Sequence, residues 1–282
     1  SHELRSPLNP ILGWSRLLQT QRLSEEKKAN ALATIERNAR LQAQLIEDLL
    51  DVSRILRGKL TLNVVPVDLA SAIAGAVETV QLAAQAKGIQ IQTVLDPNVG
   101  PVSGDSGRLQ QVVWNLLSNA VKFTPPGGSV QVRLDRASDR ALLQVSDTGK
   151  GISGDFLPYV FEHFRQEEGG TTRQFGGLGL GLAIAKQLIE LHGGTITAQS
   201  QGEDRGATFT VTLPLIEEKT GNPIDTPDGC ASVPVNPAPL AGLKILVVED
   251  DADSRDFTAF ILEQDGAQVI AVSSALEALR AI

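Results

Sequence analysis

The 282-residue sequence contains no methionine, one cysteine, and few aromatic residues (4 % against 42 % hydrophobic residues). Aliphatic side chains must therefore fill the core, and Cys230 cannot form an internal disulfide, which fits a reducing compartment. Because a natural chain starts with methionine and position 1 is Ser1, we expect this sequence to be an internal piece of a longer protein.

Three further shortages exclude classes of protein. No stretch approaches the roughly 18 apolar residues of a membrane span, and no signal peptide is visible. Acidic residues outnumber basic ones, giving a net charge of −8, which argues against a nucleic-acid partner because such partners are bound by basic surfaces. The sequence thus predicts a cytoplasmic location for this part of the chain, while the parent protein can still be membrane-anchored.

Residues 1–58 have the pattern of two amphipathic helices. Apolar residues recur at spacings of three and four at Leu4, Leu8, Ile11 and Leu18, then at Leu45, Leu49, Val52 and Leu56. Ser24 is a candidate N-cap of the second helix, and Gly58 is expected to end it. Since two helices alone cannot bury such a stripe, we expect an all-α hairpin that dimerises into a four-helix bundle.

The remaining chain divides into three regions. Residues 59–216 mix strand-like runs at 59–65, 89–95, 129–135, 141–147, 195–200 and 207–215 with helical segments near 69–86, 106–122 and 179–192. This mixture predicts an α/β domain with helices packed on a sheet. Residues 217–242 hold five of the 14 prolines and have the composition of a linker. Residues 243–282 predict a parallel βαβα beginning: strand, helix near 252–265, strand 267–272 and a last helix.

Polar residues mark one helix of the α/β domain. In "NLLSNAVKF", Asn115 and Asn119 lie four residues apart on one helical face, and Lys122 follows one turn later. Two amide oxygens and an ammonium suit a hard cation together with phosphate oxygens. The alternative is two solvated asparagines, although asparagine is a poor helix former.

Two glycine-rich stretches follow. In "DTGKGI", Asp147 ends a strand and can accept from an exocyclic amine such as that of adenine, while Gly149 and Gly151 allow a tight turn. A simple turn explains this motif equally well. In "GGLGLGLAI", Gly177, Gly179 and Gly181 precede a helix whose amides can meet phosphates. This stretch is neither a P-loop nor a dinucleotide fingerprint, and the charged, glycine-rich segment before it is typical of a lid.

The order and spacing of these motifs resemble the histidine protein kinases of two-component systems over about residues 1–215. "SHELRSPLNPILGW" is similar to the H box, "NLLSNAVKF" to the N box, "DTGKGI" to the G1 box, "FEHF" to the F box and "GGLGLGL" to the G2 box. The resemblance implies a multidomain protein with the two-layer α/β ATP-binding sandwich shared with type II topoisomerases and heat-shock chaperones. "LKILVVEDD" is similar to the first strand of a receiver domain, which implies a hybrid kinase with a truncated doubly wound receiver at 243–282.

The resemblance also implies roles for residues at the start of the chain. His2 matches the phosphoacceptor, and Glu3 matches the acidic neighbour that holds the imidazole tautomer and accepts its proton. Pro7 is expected to bend the helix after this site. Ser6 matches the position that aligns a water for dephosphorylating the partner regulator, which implies an accompanying phosphatase activity.

In the ATP-binding domain the implied ligands are ATP and Mg²⁺. Asn119, with Asn115 beside it, matches the Mg²⁺ position, Lys122 the phosphate contact, and Asp147 the adenine contact; Gly149 and Gly151 belong to the same nucleotide site. The residues expected near the triphosphate are Gly177, Gly179, Gly181, Arg165 and Arg173. In the receiver, the residues expected to help bind Mg²⁺ are Glu249, Asp250 and Asp251.

The implied function is autophosphorylation of His2 by ATP, followed by transfer to a receiver aspartate. Two alternatives remain open: a catalytically silent, nucleotide-binding dimeric scaffold, and an ATPase of the same fold without a histidine acceptor. His163 and His192 are expected to be structural. Phe161 and Phe164 are either core anchors of the lid or contacts to the helical domain.

Overall fold

The computed structural model of the chain describes residues 5–20, 23–166, 178–216 and 240–281. The chain forms two compact units, residues 1–219 and residues 220–282. Among the described residues, no helix combines the length and the apolar character that crossing a membrane would require.

The first unit begins with the expected helical hairpin. Helix α1 spans Leu8–Thr20 and helix α2 spans Glu25–Leu56, with Ser6 and Pro7 in a turn before α1. The Ser24 hydroxyl accepts a hydrogen bond from the Lys27 amide at 3.4 Å, which confirms it as the N-cap of α2. The helix stops before Gly58, whose φ of 63° lies in the left-handed region that favours glycine.

Much of the apolar surface of the hairpin is exposed within one chain. Only Ala31, Leu45 and Val52 are buried apolar residues of the two helices. The exposed large apolar side chains of these helices are Leu8, Leu12, Leu32, Leu41, Ile46, Leu49, Leu50 and Leu56. A single hairpin therefore leaves an apolar surface in water, as the spacing of its leucines indicates.

A five-stranded mixed sheet forms the centre of the first unit. Its strands are β2 (Gln90–Leu95), β4 (Ser129–Ala137), β5 (Arg140–Asp147), β6 (Thr195–Gln199) and β7 (Ala207–Pro214), in the order β2-β4-β5-β7-β6. Strands β2 and β4 are parallel and every other pair is antiparallel. Burial alternates along β7, so alternate side chains of this strand enter the core. The expected strands of the sheet are confirmed to within two residues.

Three helices pack with this sheet around one core. They are α3 (Leu69–Ala86), α4 (Ser106–Phe123) and α5 (Gly181–Leu191), and α3 and α4 begin at the N-caps Asp68 and Asp105. The largest fully buried side chains are Ile73, Val102, Leu109, Val112, Val113, Leu116, Leu117, Leu134, Leu180, Ile184, Leu188 and Ile189. The helix-on-sheet architecture agrees with the expected α/β sandwich.

The strand predicted at 59–65 is wrong. Residues 59–64 are irregular, and β1 (Val65–Val67) pairs instead with the unpredicted β3 (Val102–Gly104). Leu60 packs against the core as the chain leaves α2, but no described strand pairs with residues 59–64. A strand requires a pairing partner, and alternation alone does not supply one.

The second unit has the expected order of elements. Strand β8 (Lys244–Val248), helix α6 (Ala252–Gln264), strand β9 (Gln268–Val272) and helix α7 (Ala275–Ala281) follow each other, and β8 pairs with β9 in parallel. Large apolar side chains of this unit are exposed, among them Phe257, Phe260, Leu276 and Leu279. Its identity as the start of a receiver stays a prediction, and most of the expected linker lies outside the described residues.

A buried ion pair joins the hairpin to the α/β part of the first unit. The side chain of Asp51 is fully buried; its Oδ2 accepts from Arg108 Nη1 at 2.7 Å and from Gln111 Nε2 at 2.9 Å. The Arg108 Nη1 also donates to Gln111 Oε1 at 2.8 Å. Because a buried carboxylate is stable only when paired, this cluster fixes α2 against α4.

We expect Arg108→Met to lower the free energy of unfolding by about 3 kcal/mol, because it removes the nearer cation of the buried Asp51 carboxylate and leaves Arg54 Nη1, 3.8 Å from Asp51 Oδ1, as the remaining one. Urea titration followed by Trp114 fluorescence measures this loss. Arg133→Met, which removes only the exposed pair with Asp135, is the control and should leave the transition unchanged. Adding Asp51→Leu to Arg108→Met should restore most of the loss; equal stability of the wild type and Arg108→Met would contradict the role of the pair.

Candidate functional site

A cavity of about 270 Å³ lies between α4, the end of β5, the start of α5 and helix α2. It brings together eight of the residues that the sequence predicts for a nucleotide site: Asn115, Asn119, Lys122, Asp147, Gly151, Arg165, Gly179 and Gly181. Residues separated by more than 60 positions in the chain therefore line one cavity.

Helix α4 contributes the polar stripe of the cavity. Asn115 is buried, and its Nδ2 has no hydrogen-bond partner among the described residues. The ammonium groups of Lys122 and Lys150 each lie 4.9 Å from the centre of the Phe123 ring. Lys150 was not predicted as a site residue, although it lies inside the "DTGKGI" motif. Two cations and a buried amide without a partner favour an anionic ligand beside this helix.

Asp147 closes β5 at the cavity wall. Its Oδ1 accepts a hydrogen bond from the Gly149 amide at 2.8 Å. Burial raises the pKa of the Asp147 carboxyl, while hydrogen bonds from the Gly149 and Ala207 amides lower it. The net effect is a raised pKa, which is typical of a carboxyl group withdrawn from water inside a binding site.

The glycines of the Asp147 loop have a structural reason for their identity. Gly151 has a φ of 70°, and a Cβ there would collide with the Gly202 carbonyl oxygen. A Cβ at Gly149 would lie 2.6 Å from the Phe123 carbonyl oxygen. Close packing of this loop against its neighbours therefore already requires glycine, in addition to the tight turn that the sequence suggested.

The segment before α5 also packs tightly. Gly179 has a φ of 67°, and a Cβ there would lie 2.7 Å from the Arg165 carbonyl oxygen. A Cβ at Gly181 would lie 3.1 Å from Asn115 Oδ1. Leu180, at the N-cap of α5, provides no side-chain hydrogen bond to the first turn. The amides of this turn are thus suited to an anion at the cavity.

The remaining predicted site residues lie at the cavity edge, away from it, or outside the described residues. The Arg165 guanidinium pairs with Glu162 at 2.9 Å and lies 4.8 Å from the Tyr159 ring centre, at the cavity edge. Ser6 lies in the turn before α1. His2, Glu3, Arg173 and Gly177 lie outside the described residues.

The structure confirms a structural role for His192. Its Nε2 accepts from the Asp105 amide at 3.0 Å, so the proton is on Nδ1, which lies 2.7 Å from the Leu188 carbonyl oxygen and donates to it. The ring thereby joins the end of α5 to the start of α4. The Nε2 of His163 is buried and has no hydrogen-bond partner among the described residues, and its role stays a prediction.

The two phenylalanines of "FEHF" have different environments. Phe161 packs edge-to-face on Phe209 of β7, with ring centres 6.2 Å apart. Phe164 is 61 % exposed and lines a groove with Leu49, Val52 and Leu56 of α2. Phe161 is thus a core anchor, and Phe164 faces the helical hairpin.

Helix α2 also forms a wall of the cavity, which we did not predict. Leu41, Gln44, Leu45 and Asp48 all line it, and Gln44 Nε2 donates to Asp48 Oδ1 at 2.8 Å. Burial raises the pKa of Asp48, and the nearby negative charge of Asp51 adds to the increase. A signal was present: Asp48 lies three positions after Leu45, on the face that the apolar spacing assigns to the core.

The donor set fits a nucleotide that carries a metal ion. Asn115 and Asn119 offer neutral amide oxygens, and the described residues contain no group of three or more His, Cys, Asp or Glu side chains able to hold a metal. A Mg²⁺ ion here would therefore need phosphate oxygens as additional ligands, as Mg²⁺ sites commonly do.

Comparisons with known families give two matches. Residues 1–58 match the family described as His Kinase A (phospho-acceptor) domain. Residues 104–217 match the family described as Histidine kinase-, DNA gyrase B-, and HSP90-like ATPase. The two matches coincide with the helical hairpin and with most of the sheet, including the wall formed by α4.

Individual relatives are similar over longer stretches. The chain is 38 % identical over 262 residues to Hybrid signal transduction histidine kinase D of Dictyostelium discoideum, covering 77 % of this chain and 17 % of the relative. It is 37 % identical over 274 residues to Circadian input-output histidine kinase CikA of Synechococcus elongatus, covering 96 % of this chain and 35 % of the relative. The chain thus spans about a sixth to a third of these relatives.

A solved structure of full-length ShkA in complex with AMPPNP is also similar. Its TM-score is 0.58 and its sequence identity 30 %, with 99 % of this chain and 55 % of that chain covered.

The raised pKa of Asp48 predicts an effect of pH on stability. The folded state binds this proton more tightly than the unfolded state, so the ionised carboxylate destabilises the fold above the raised pKa. Asp48→Asn should therefore increase the urea midpoint at pH 7; the increase should begin to shrink as the pH falls through the raised pKa and should vanish below the ordinary pKa of an aspartate, where Asp48 is protonated in both states.

Asp68→Asn is the matched control with the opposite sign. The hydrogen bond from the Ser71 hydroxyl lowers the pKa of Asp68, so its stabilisation is present at pH 7 and is lost in acid. An Asp48→Asn urea midpoint equal to that of the wild type at pH 7 would contradict a raised pKa of Asp48.

Proposed function

The chain belongs to the sensor histidine kinases of two-component systems, and on this basis we propose that it binds ATP in the cavity and phosphorylates His2. The observation that carries the proposal is the convergence of Asn119, Lys122 and Asp147 on one cavity. The same unit contains the hairpin that matches the phosphoacceptor family.

In the proposed complex, each part of the nucleotide has its own contacts. The Asp147 carboxylate accepts a hydrogen bond from the adenine amine. Lys122 and the amides at the start of α5 contact the phosphates, and Asn119, with Asn115 beside it, holds Mg²⁺. The metal ion supplies neutralisation of phosphate charge, which is the main requirement of phosphoryl transfer. Arg165 and Arg173 are further candidates for the γ-phosphate.

The proposed reaction is a phosphoryl transfer to nitrogen. A ring nitrogen of neutral His2 attacks the γ-phosphorus, the bond from that phosphorus to the bridging oxygen breaks, and ADP leaves. Glu3 accepts the imidazole proton. Because the ordinary pKa of histidine lies near 6.5, the neutral nucleophile is abundant at pH 7.

Further steps follow from the same proposal. The phosphoryl group passes to an aspartate of a receiver domain, and residues 243–282 are the beginning of such a domain in a hybrid kinase. Glu249, Asp250 and Asp251 follow β8, where they would bind Mg²⁺ in a completed receiver. Ser6 aligns a water for the reverse, phosphatase reaction.

Incubation with γ-labelled ATP should give a label that is labile in acid and stable in alkali. Asn119→Asp should abolish both labelling and ATP binding, because it places a carboxylate among phosphate oxygens. His2→Gln is the matched variant: it should abolish labelling and leave ATP affinity within about twofold of wild type. A label that persists in His2→Gln would contradict the assigned acceptor.

We also expect a homodimer through the hairpin. Light scattering should give twice the 30.0 kDa chain mass, because the apolar surface of α1 and α2 needs a partner. Leu8→Lys should shift the chain toward monomer, since Leu8 is 40 % exposed within the predicted stripe. Leu82→Lys, at an 80 % exposed leucine on α3, should remain dimeric. A monomeric wild type at tens of micromolar would contradict the bundle.

A further inference from the structure

A lysine outside the cavity binds the end of the helix that carries the predicted nucleotide contacts. The Nζ of Lys87, the C-cap residue of α3, donates to the carbonyl oxygens of Val121 and Lys122, each at 2.8 Å, and of Thr124 at 3.3 Å. These carbonyls belong to the last turn of α4 and its cap.

The hydrogen bonds of this helix end depend on Lys87. An α-helix leaves its last carbonyl groups without regular partners. In α4 the Ala120 carbonyl accepts from the Thr124 amide at 3.0 Å, and the Phe123 carbonyl accepts from the Lys150 amide at 3.2 Å. The carbonyls of Val121 and Lys122, which lie between Ala120 and Phe123 in the chain, both accept hydrogen bonds from the Lys87 ammonium.

The backbone of Lys87 strengthens the same connection. Its carbonyl oxygen accepts from the Gly127 amide at 3.2 Å, so side chain and main chain both bind the segment that follows α4. Desolvation lowers the pKa of the Lys87 ammonium, which agrees with a cation held against the protein. The contact therefore joins α3 firmly to the end of α4.

We propose that Lys87 is a positioning residue for the triphosphate: it fixes the C-terminal end of α4, where Lys122 lies in the last turn and Asn119 just before it, and its charge offsets the negative end of the helix dipole. The proposal rests on the proposed binding of ATP in the cavity. The C-terminal end of a helix carries about half a negative charge, which opposes phosphates placed beside the Lys122 turn. Lys87 supplies the compensating cation from the side of α3.

This role predicts an effect that depends on phosphate. Without the Lys87 ammonium, the helix end repels the triphosphate, whereas adenosine carries no charge and depends mainly on the adenine contact of Asp147. If Lys87 positions the triphosphate, its removal therefore lowers the ratio of ATP affinity to adenosine affinity. A purely structural role would weaken both ligands together.

The test uses the full chain and isothermal titration with ATP and with adenosine. Lys87→Met keeps the length of the side chain and removes its charge and donors; we expect a roughly threefold or greater loss of ATP affinity, with adenosine affinity within about 1.5-fold of wild type. Lys87→Arg keeps the charge and should remain within about twofold of wild type for both ligands. Lys28→Met, which removes an exposed lysine of α2 paired with Glu25, is the control and should change neither affinity.

Each remaining outcome has a defined meaning. Equal losses for ATP and adenosine, or no loss for either, would overturn the proposal for Lys87. A wild-type chain that binds neither ligand would instead contradict the proposed ATP site itself. If Lys87→Met does not fold, Lys87→Gln, which removes the charge but keeps an amide donor, is measured in the same way and judged by the same ratio.

Discussion

Helix α4 must satisfy the core, the hairpin and the cavity at the same time, and this constraint organises the first unit. One side of the helix is buried through residues such as Leu109 and Leu116. The polar residues recur at spacings of three and four: Arg108, Gln111, Asn115, Asn119 and Lys122. Its first turn binds the hairpin through Asp51, and its later turns line the cavity. A rotation of α4 would therefore disturb docking and ligand contacts together, because both depend on the same orientation.

Local rules predicted most elements of the fold, and long-range partners account for what was missed. Local residue patterns located the five strands and three helices of the sandwich, since these signals are contained within a few residues. The partner of Asp51, 57 positions away at Arg108, has no local signal. The short strand pair β1 and β3 was missed for the same reason. The i, i+4 asparagines were found because helical geometry alone places them together, whereas the wall formed by α2 required tertiary structure.

Burial is distributed unevenly along the chain. Among the described residues, the largest side chains with less than 2 % exposure, from Ile73 to Ile189 together with Val211, all lie within the α/β part of the first unit. The hairpin has few buried apolar residues, so its position depends on the Asp51 cluster and on a partner for its exposed leucines. The β8–β9 pair is a two-stranded sheet with exposed neighbours such as Phe257, and two strands alone are marginally stable. Two of the three regions thus present apolar surface that further chain or further copies would cover.

Helix α2 both lines the cavity and forms part of the hairpin, so its position affects how His2 meets a bound nucleotide in the proposed transfer. It lines the cavity through Gln44 and Asp48, and it continues the hairpin whose first helix follows His2. Phosphoryl transfer needs the acceptor nitrogen within about 3–3.5 Å of phosphorus and in line with the leaving oxygen. The angle between α2 and α4 therefore governs how closely the start of the hairpin can approach a bound nucleotide. The Asp51–Arg108 pair joins these two helices, so a change of that angle in the proposed reaction has to keep the buried Asp51 carboxylate charge-compensated.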